Sequence, residues 1–319
     1  MSLDLLDTPL RLTWDFPCRD SGLHDSDLLR IADRIVDAGL FFVSLEGAPL
    51  RAPACIPLLD RLLAGGCQVR LVCNGSEEEL SGLGRLTDRP VELLLEVGTR
   101  LGNTDGHMDA SALDATLEQM RRAGAEPGLT LTPLRANLGT LAALLRFCQA
   151  RQVKRLRLPN ANIGARFECY RPDDLPRWSD LEAFAAAWRR ETFAVSDWPT
   201  LEIHDLFLWE ILAPDNRQAR AEYGGCQAGN SLGHVDADGL LHPCAAWPAP
   251  LGALLDAPLE QLWRSPQRLT TRRQVATTPA GCQGCRDLPI CFGGCRGLAL
   301  HLNQANGERD LMCRAPRRN

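Results

Sequence analysis

Short apolar runs alternate with amphipathic stretches along the N-terminal part of the chain. PLRLTW (9–14), LFFVSL (40–45), QVRLVC (68–73), VELLLEV (91–97), LTLTP (129–133) and KRLRLP (154–159) are rich in Leu, Val or Phe and read as strands. Between them, SDLLRIADRIVDAG, PACIPLLDRLLAGG, SALDATLEQMRRAG and LGTLAALLRFCQARQ read as helices. In the third, Leu113, Leu117 and Met120 recur at helical spacing, and Gly124 follows as a C-terminal cap; Gly39, Gly65 and Gly66 close their helices in the same way. Strand–helix alternation at this spacing predicts right-handed crossovers and a parallel sheet. Six such units predict an α/β fold, an open or partial (β/α)6 barrel rather than the full eightfold one. Ligands then belong at the C-terminal strand ends, here WDFPCRDSG, EGAP, CNG and PNANIG.

The pattern changes further along. SLGHVDADGLLHPC (231–244) has two apolar-alternating arms around an Asp-Gly turn and predicts a hairpin. APLEQLWRSPQRLTTRRQ predicts a short helix with a continuation. The expected organisation is a barrel over 1–195, a linker over 196–225 and a small cysteine-rich domain over 226–319. The net charge of −5 argues against a phosphate-binding surface, so no nucleic-acid partner is expected. No run of eighteen apolar residues predicts a membrane span. The first residues, MSLDLLDTPLRLTWDF, lack a basic stretch followed by an apolar one, which predicts a cytoplasmic chain.

The chain has 13 cysteines among 319 residues, and their placement is uneven. Cys18, Cys55, Cys67, Cys73, Cys148 and Cys169 are scattered. Cys226, Cys244, Cys282, Cys285, Cys291, Cys295 and Cys313 crowd the C-terminal part. A reducing compartment turns attention from disulfides to metal ligation. From the residues alone, structural zinc, disulfides and iron–sulfur clusters all remain open for CQGCRDLPICFGGC (282–295).

The full spacing is more specific. Cys226 is followed by twelve residues, Gly239, four residues and Cys244; then come Cys282-x2-Cys285-x5-Cys291-x3-Cys295, and finally Cys313. This resembles the seven-cysteine motif of the SPASM domain, a C-terminal extension of many radical SAM enzymes that modify peptides. The strand–helix half resembles the partial barrel of those enzymes. The resemblance implies two auxiliary [4Fe–4S] clusters, one on Cys282, Cys285, Cys291 and Cys313, the other on Cys226, Cys244 and Cys295. The second set lacks a fourth cysteine, and an open iron site, or a ligand such as Asp236, Asp238 or a partner's thiol, is expected there. His234 and His242 lie in the hairpin, where surface exposure is expected and hydrogen bonding to cluster sulfur is the alternative.

The N-terminal half departs from that family. Its active members carry C-x3-C-x2-C after the first strand. Here FPCRDSGLHDSD has one cysteine: a register from Cys18 continues to Gly22 and Asp25, and the usual register gives Asp20, His24 and Asp27. Hard carboxylates suit a low-potential cluster poorly. The family's Gly-Gly-Glu-Pro after the second strand is replaced by Glu46-Gly47-Ala48-Pro49. These departures put S-adenosylmethionine binding in doubt and imply no catalytic residue. The chain most resembles the SPASM-domain companion proteins of Geobacter-type ribosomal-peptide maturation systems. That implies electron transfer or peptide presentation beside a radical SAM maturase, with a peptide precursor or its chaperone as further partner. The alternative is a divergent radical SAM peptide-modifying enzyme with atypical first-cluster ligands.

Overall fold

The structure is a computed structural model that describes residues 6–16, 22–98, 108–161, 170–190, 198–213, 225–302 and 309–314. Cys18, Asp20, Cys169 and the end of PNANIG fall outside these residues. The six predicted strands are present as β1 (Arg11–Asp15), β2 (Phe42–Glu46), β3 (Gln68–Cys73), β4 (Val91–Glu96), β5 (Gly128–Thr130) and β6 (Arg155–Leu158). The predicted helices between them are α1 (Asp25–Asp37), α2 (Cys55–Ala64), α4 (Ala110–Arg122) and α5 (Leu141–Ala150), with the short α3 (Glu77–Gly82) added after β3. The segment expected to be a linker contains a seventh strand, β7 (Thr200–Ile203), and it follows α6 (Trp178–Trp188) and precedes α7 (Leu206–Leu212). Four residues with Glu202 among them give too weak an apolar run to stand out in the sequence.

Strands β1 to β7 pair in sequence order, each parallel to the next. The predicted hairpin forms as β8 (Leu232–Val235) and β9 (Leu240–His242), joined by β10 (Gly252–Ala253). It is an extension of the barrel sheet, because β8 runs parallel along the free edge of β1 with Thr13 opposite His234. A bare β1 edge would expose a row of unpaired backbone groups, and β8 satisfies them. Gly239 sits at the hairpin tip with φ +79°, and a side chain there would meet Ile31 of α1 at 3.0 Å. The hairpin is thereby seated on both the sheet and its first helix. Beyond it follow α8 (Leu259–Trp263), α9 (Pro266–Ala276), α10 (Leu288–Cys291) and α11 (Arg296–His301).

Alternation along the strands sets the two faces of the sheet. Leu12, Trp14, Val43, Leu45, Leu71 and Leu95 are buried in the core they share with Ile31 and Ile35 of α1 and Leu58, Leu59 and Leu62 of α2. Each such side chain contributes roughly 1.5–3 kcal/mol through its burial. The other face is polar: Thr13, Asp15, Ser44, Glu46, Arg70 and Glu202 line a cavity of about 1040 Å³ inside the curved sheet. Two ion pairs span that lumen. Arg70 on β3 meets Glu202 on β7 at 2.8 Å, and Arg157 on β6 meets Glu46 on β2 at 2.9 Å. Among the described residues, no helix is long and apolar enough to cross a membrane.

Candidate metal centre

Cys226, Cys244 and Cys295 come from three separate places and meet at one wall of the cavity. Cys226 precedes β8, Cys244 follows β9, and Cys295 caps α11. Arg272 of α9 fixes the first of these stretches, its Nη1 donating to the carbonyls of Cys226 at 2.8 Å and Ala228 at 3.0 Å. Phe292, Gly293 and Gly294 all have positive φ, and this turn separates Cys291 from Cys295. A Cβ at Gly294 would run into Asp310, whose Oδ2 accepts the Cys295 amide N–H at 2.6 Å and whose Oδ1 accepts that of Met312 at 2.8 Å.

Backbone amides point at all three sulfurs. The Cys226 thiol accepts from the N–H groups of Ala228 and Arg296, that of Cys244 from Ala246 and Trp247, and that of Cys295 from Leu298. Such donors favour a thiolate. Burial opposes them: it pushes Cys244 up to about 12, with the nearby Cys226 adding to the effect. Cys295 is pushed well above the usual thiol range by burial, then by Asp310, Cys244 and Cys226. A bound cation reverses this balance, since a metal-coordinating thiol is deprotonated outright.

Cys282, Cys285, Cys291 and Cys313 do not line this cavity. Cys282 ends a 3-10 turn (Ala280–Cys282) and Cys291 ends α10. Burial pushes Cys282 up to about 11, and Cys313, Cys291 and Cys285 each add to it, so those three sulfurs stand within electrostatic reach of Cys282. Among the described residues no group of three or more His, Cys, Asp or Glu side chains is arranged to hold a single metal ion. A four-iron cube takes one thiolate per iron, so its ligands stand wider apart than the sulfurs around one zinc, which lie about 4 Å from each other.

The buried arginines test whether such a cluster fits. Arg272 and Arg296 are each 5% exposed, and Arg272 Nε and Arg296 Nε and Nη1 have no hydrogen-bond partner. Both guanidinium groups interact electrostatically with Cys226. A buried cation with orphaned N–H groups is costly, and an anionic group held by the adjacent thiolates removes that cost. The donor set therefore fits an iron–sulfur cluster. Nothing in the chain's pattern singles out these arginines beyond their position in CRG and TTRRQ, or Asp310 beyond its place in RDLMC.

Other expectations resolve differently. His234 is buried rather than exposed: its Nδ1 shares a 2.8 Å hydrogen bond with Thr13 Oγ1, and burial followed by the nearby His242 pushes it down to about 3. His242 bonds to Asp236 at 3.0 Å and to the Trp247 carbonyl at 3.2 Å. These bonds are to protein oxygen, not sulfur. The Asp236 carboxylate also accepts the amides of Asp238 and Leu240, which commits it to the hairpin turn. The eleven described cysteines are all unbridged. Cys55, Cys67, Cys73 and Cys148 are buried in the barrel core and act there as small apolar side chains.

The mouth of the barrel at β1 is built differently. The Asp27 carboxylate accepts the His24 amide at 3.1 Å and lies 3.4 Å from Arg30 Nη1, so it caps α1. After β2, Gly47 and Ala48 both adopt positive φ, and the Glu46 carboxylate is taken by Arg157 and by Ser44 Oγ at 3.1 Å.

Comparison with known proteins agrees with this geometry. Residues 226–286 match the SPASM family, described as an iron–sulfur cluster-binding domain. The match includes Cys226, Cys244, Cys282 and Cys285 and ends before Cys291. Streptococcus suis SuiB bound to its precursor peptide SuiA is similar with a TM-score of 0.69 and 16% identity, covering 97% of this chain and 77% of SuiB. SuiB bound to S-adenosylmethionine gives a TM-score of 0.68 at 16% identity, covering 97% of this chain and 78% of that one. The structure of anSMEcpe with AdoMet and the Cp18Cys peptide gives 0.68 at 15% identity, covering 95% of this chain and 94% of that one. No curated protein matches. The fold is thus that of radical SAM enzymes with a C-terminal SPASM domain.

Proposed function

We propose that this chain is a non-catalytic iron–sulfur companion of a radical SAM peptide maturase. Residues 226–319 hold two [4Fe–4S] clusters, on Cys282, Cys285, Cys291 and Cys313 and on Cys226, Cys244 and Cys295. Residues 1–195 serve as the scaffold. The observation that carries the reading is the contrast between two parts of the cavity wall. Around the base of the hairpin, three thiols with amide donors at their sulfurs face the cavity beside buried, uncompensated arginines. After β1 and β2, Asp27 is a helix cap, and Ala48 stands where the family it resembles has a glutamate.

Bound clusters supply one-electron chemistry. The protein's own part is to keep the sites dry and bring a peptide near them. Trp247, Ala228 and Val275 pack a small apolar core against Cys226 and Cys244, which limits water at those sulfurs. The cavity of about 1040 Å³ has room for a peptide segment, and the similar SuiB and anSMEcpe structures are described with peptides bound. Thiol sets of this kind suit a reducing compartment such as the cytoplasm.

The test is incubation of the anaerobically reconstituted chain with S-adenosylmethionine and a strong reductant. No methionine or 5′-deoxyadenosine is expected above the buffer control. Cleavage would overturn the companion reading in favour of a divergent radical SAM enzyme.

A further inference from the structure

Two guanidinium groups are sealed into the C-terminal part without matching charge. Arg296 Nη2 donates to the Gln274 carbonyl at 3.3 Å, but its Nε and Nη1 are unpartnered, and Nη1 lies 3.5 Å from where a Cβ on Gly293 would be. Arg272 is held by its two Nη1 hydrogen bonds and leaves Nε unpartnered. Among the described residues no carboxylate forms an ion pair with either. Their reach differs. Arg296 interacts with Cys226 and Cys282, one thiol from each set, whereas Arg272 interacts with Cys226.

We propose that Arg296 is a positioning residue shared by the two thiol sets, a common counter-charge that favours the reduced form of the group on each side, while Arg272 serves the Cys226 side alone. This rests on the cluster reading above. An electron added to an anionic group raises its negative charge, and a fixed positive charge in a low-dielectric interior lowers the energy of that state. The same charge is a liability without the group, because nothing else compensates it. Arg296 therefore ties the redox behaviour of two sites that share no ligand in this assignment.

The test uses the full chain, reconstituted anaerobically, with iron and sulfide counted before an EPR-monitored redox titration. Arg296→Gln is expected to shift the midpoint potentials of both clusters downward. Arg296→Lys restores most of that shift, and Arg272→Gln lowers one potential only. Unchanged potentials in Arg296→Gln at full iron content, or a change confined to one cluster, overturn the proposal. Thermal unfolding of the metal-free chain gives a second reading that does not depend on loading. Arg296→Met should raise the midpoint there, and a fall overturns the proposal. A wild-type chain that takes up no iron and sulfide instead sinks the cluster reading, a result distinct from loaded clusters with unmoved potentials.

Discussion

Arg157 on β6 meets Glu46 on β2 at 2.9 Å, with β3, β4 and β5 between them in the sheet. The pair fastens opposite walls of the barrel at the strand end where cofactor chemistry would be expected. Its side chains are 10% and 26% exposed, so water screens it little. Glu46→Gln leaves Arg157 with Glu202 at 3.7 Å as its remaining ionic partner. The expected loss of stability is on the order of 2 kcal/mol, read from urea unfolding. The double variant Glu46→Gln/Arg157→Gln should recover part of it, since the orphaned charge is gone.

Glu79 gives a pH dependence. It is fully buried at the start of α3 and accepts the Asn74 amide at Oε2 at 2.6 Å, which holds the turn that follows β3. Burial raises it from 4.5 to about 7. A folded-state value above the unfolded one means its contribution is fully present below about pH 4.5 and is lost as pH rises through about 7. The span is about 3 kcal/mol. Glu79→Gln should flatten this part of the stability profile between about pH 4.5 and about pH 8, measured by denaturant midpoints at fixed ionic strength. A profile identical to that of the wild type would show that Glu79 is ionised throughout.

Much of this architecture was legible in the sequence, and the omissions have physical causes. The six strands and four helices follow from apolar period and glycine stops, and the hairpin follows from its Asp-Gly turn. The charged lumen was written there too. Parallel strands buried on both faces read as continuous apolar runs, whereas QVRLVC, RLRL and TLEI place Arg70, Arg157 and Glu202 on alternate positions. Strand β7 was hidden by this same alternation. Pairing of β8 with β1 joins residues more than two hundred positions apart, which no local pattern encodes. The burial of His234 follows from that pairing, and the orphaned arginines emerge only from packing around the thiols.

The two thiol sets can be separated by substitution. Cys282→Ala or Cys291→Ala should each lower the content by about four irons per chain and destabilise the C-terminal part, because metal binding is folding energy here. Cys226→Ala should remove the other group and spare the first. Cys18→Ala should leave iron content unchanged. A loss of about four irons in Cys18→Ala would place a cluster at the β1 end and contradict the companion reading.

Gly294 offers a backbone test of the Cys295 arm. Its φ is +74°, and a Cβ there collides with the buried Asp310 side chain. Gly294→Ala should cost about 2 kcal/mol or more from the left-handed conformation and the clash together. It should also displace Cys295, lowering iron in the Cys226 set before the Cys282 set. Iron analysis alongside unfolding curves distinguishes this from uniform destabilisation.

The most direct measurement counts iron and acid-labile sulfide in the anaerobically reconstituted chain. Two clusters and no third predict about eight of each per chain, unchanged when S-adenosylmethionine is present. About twelve irons, or iron without matching sulfide, would contradict the account.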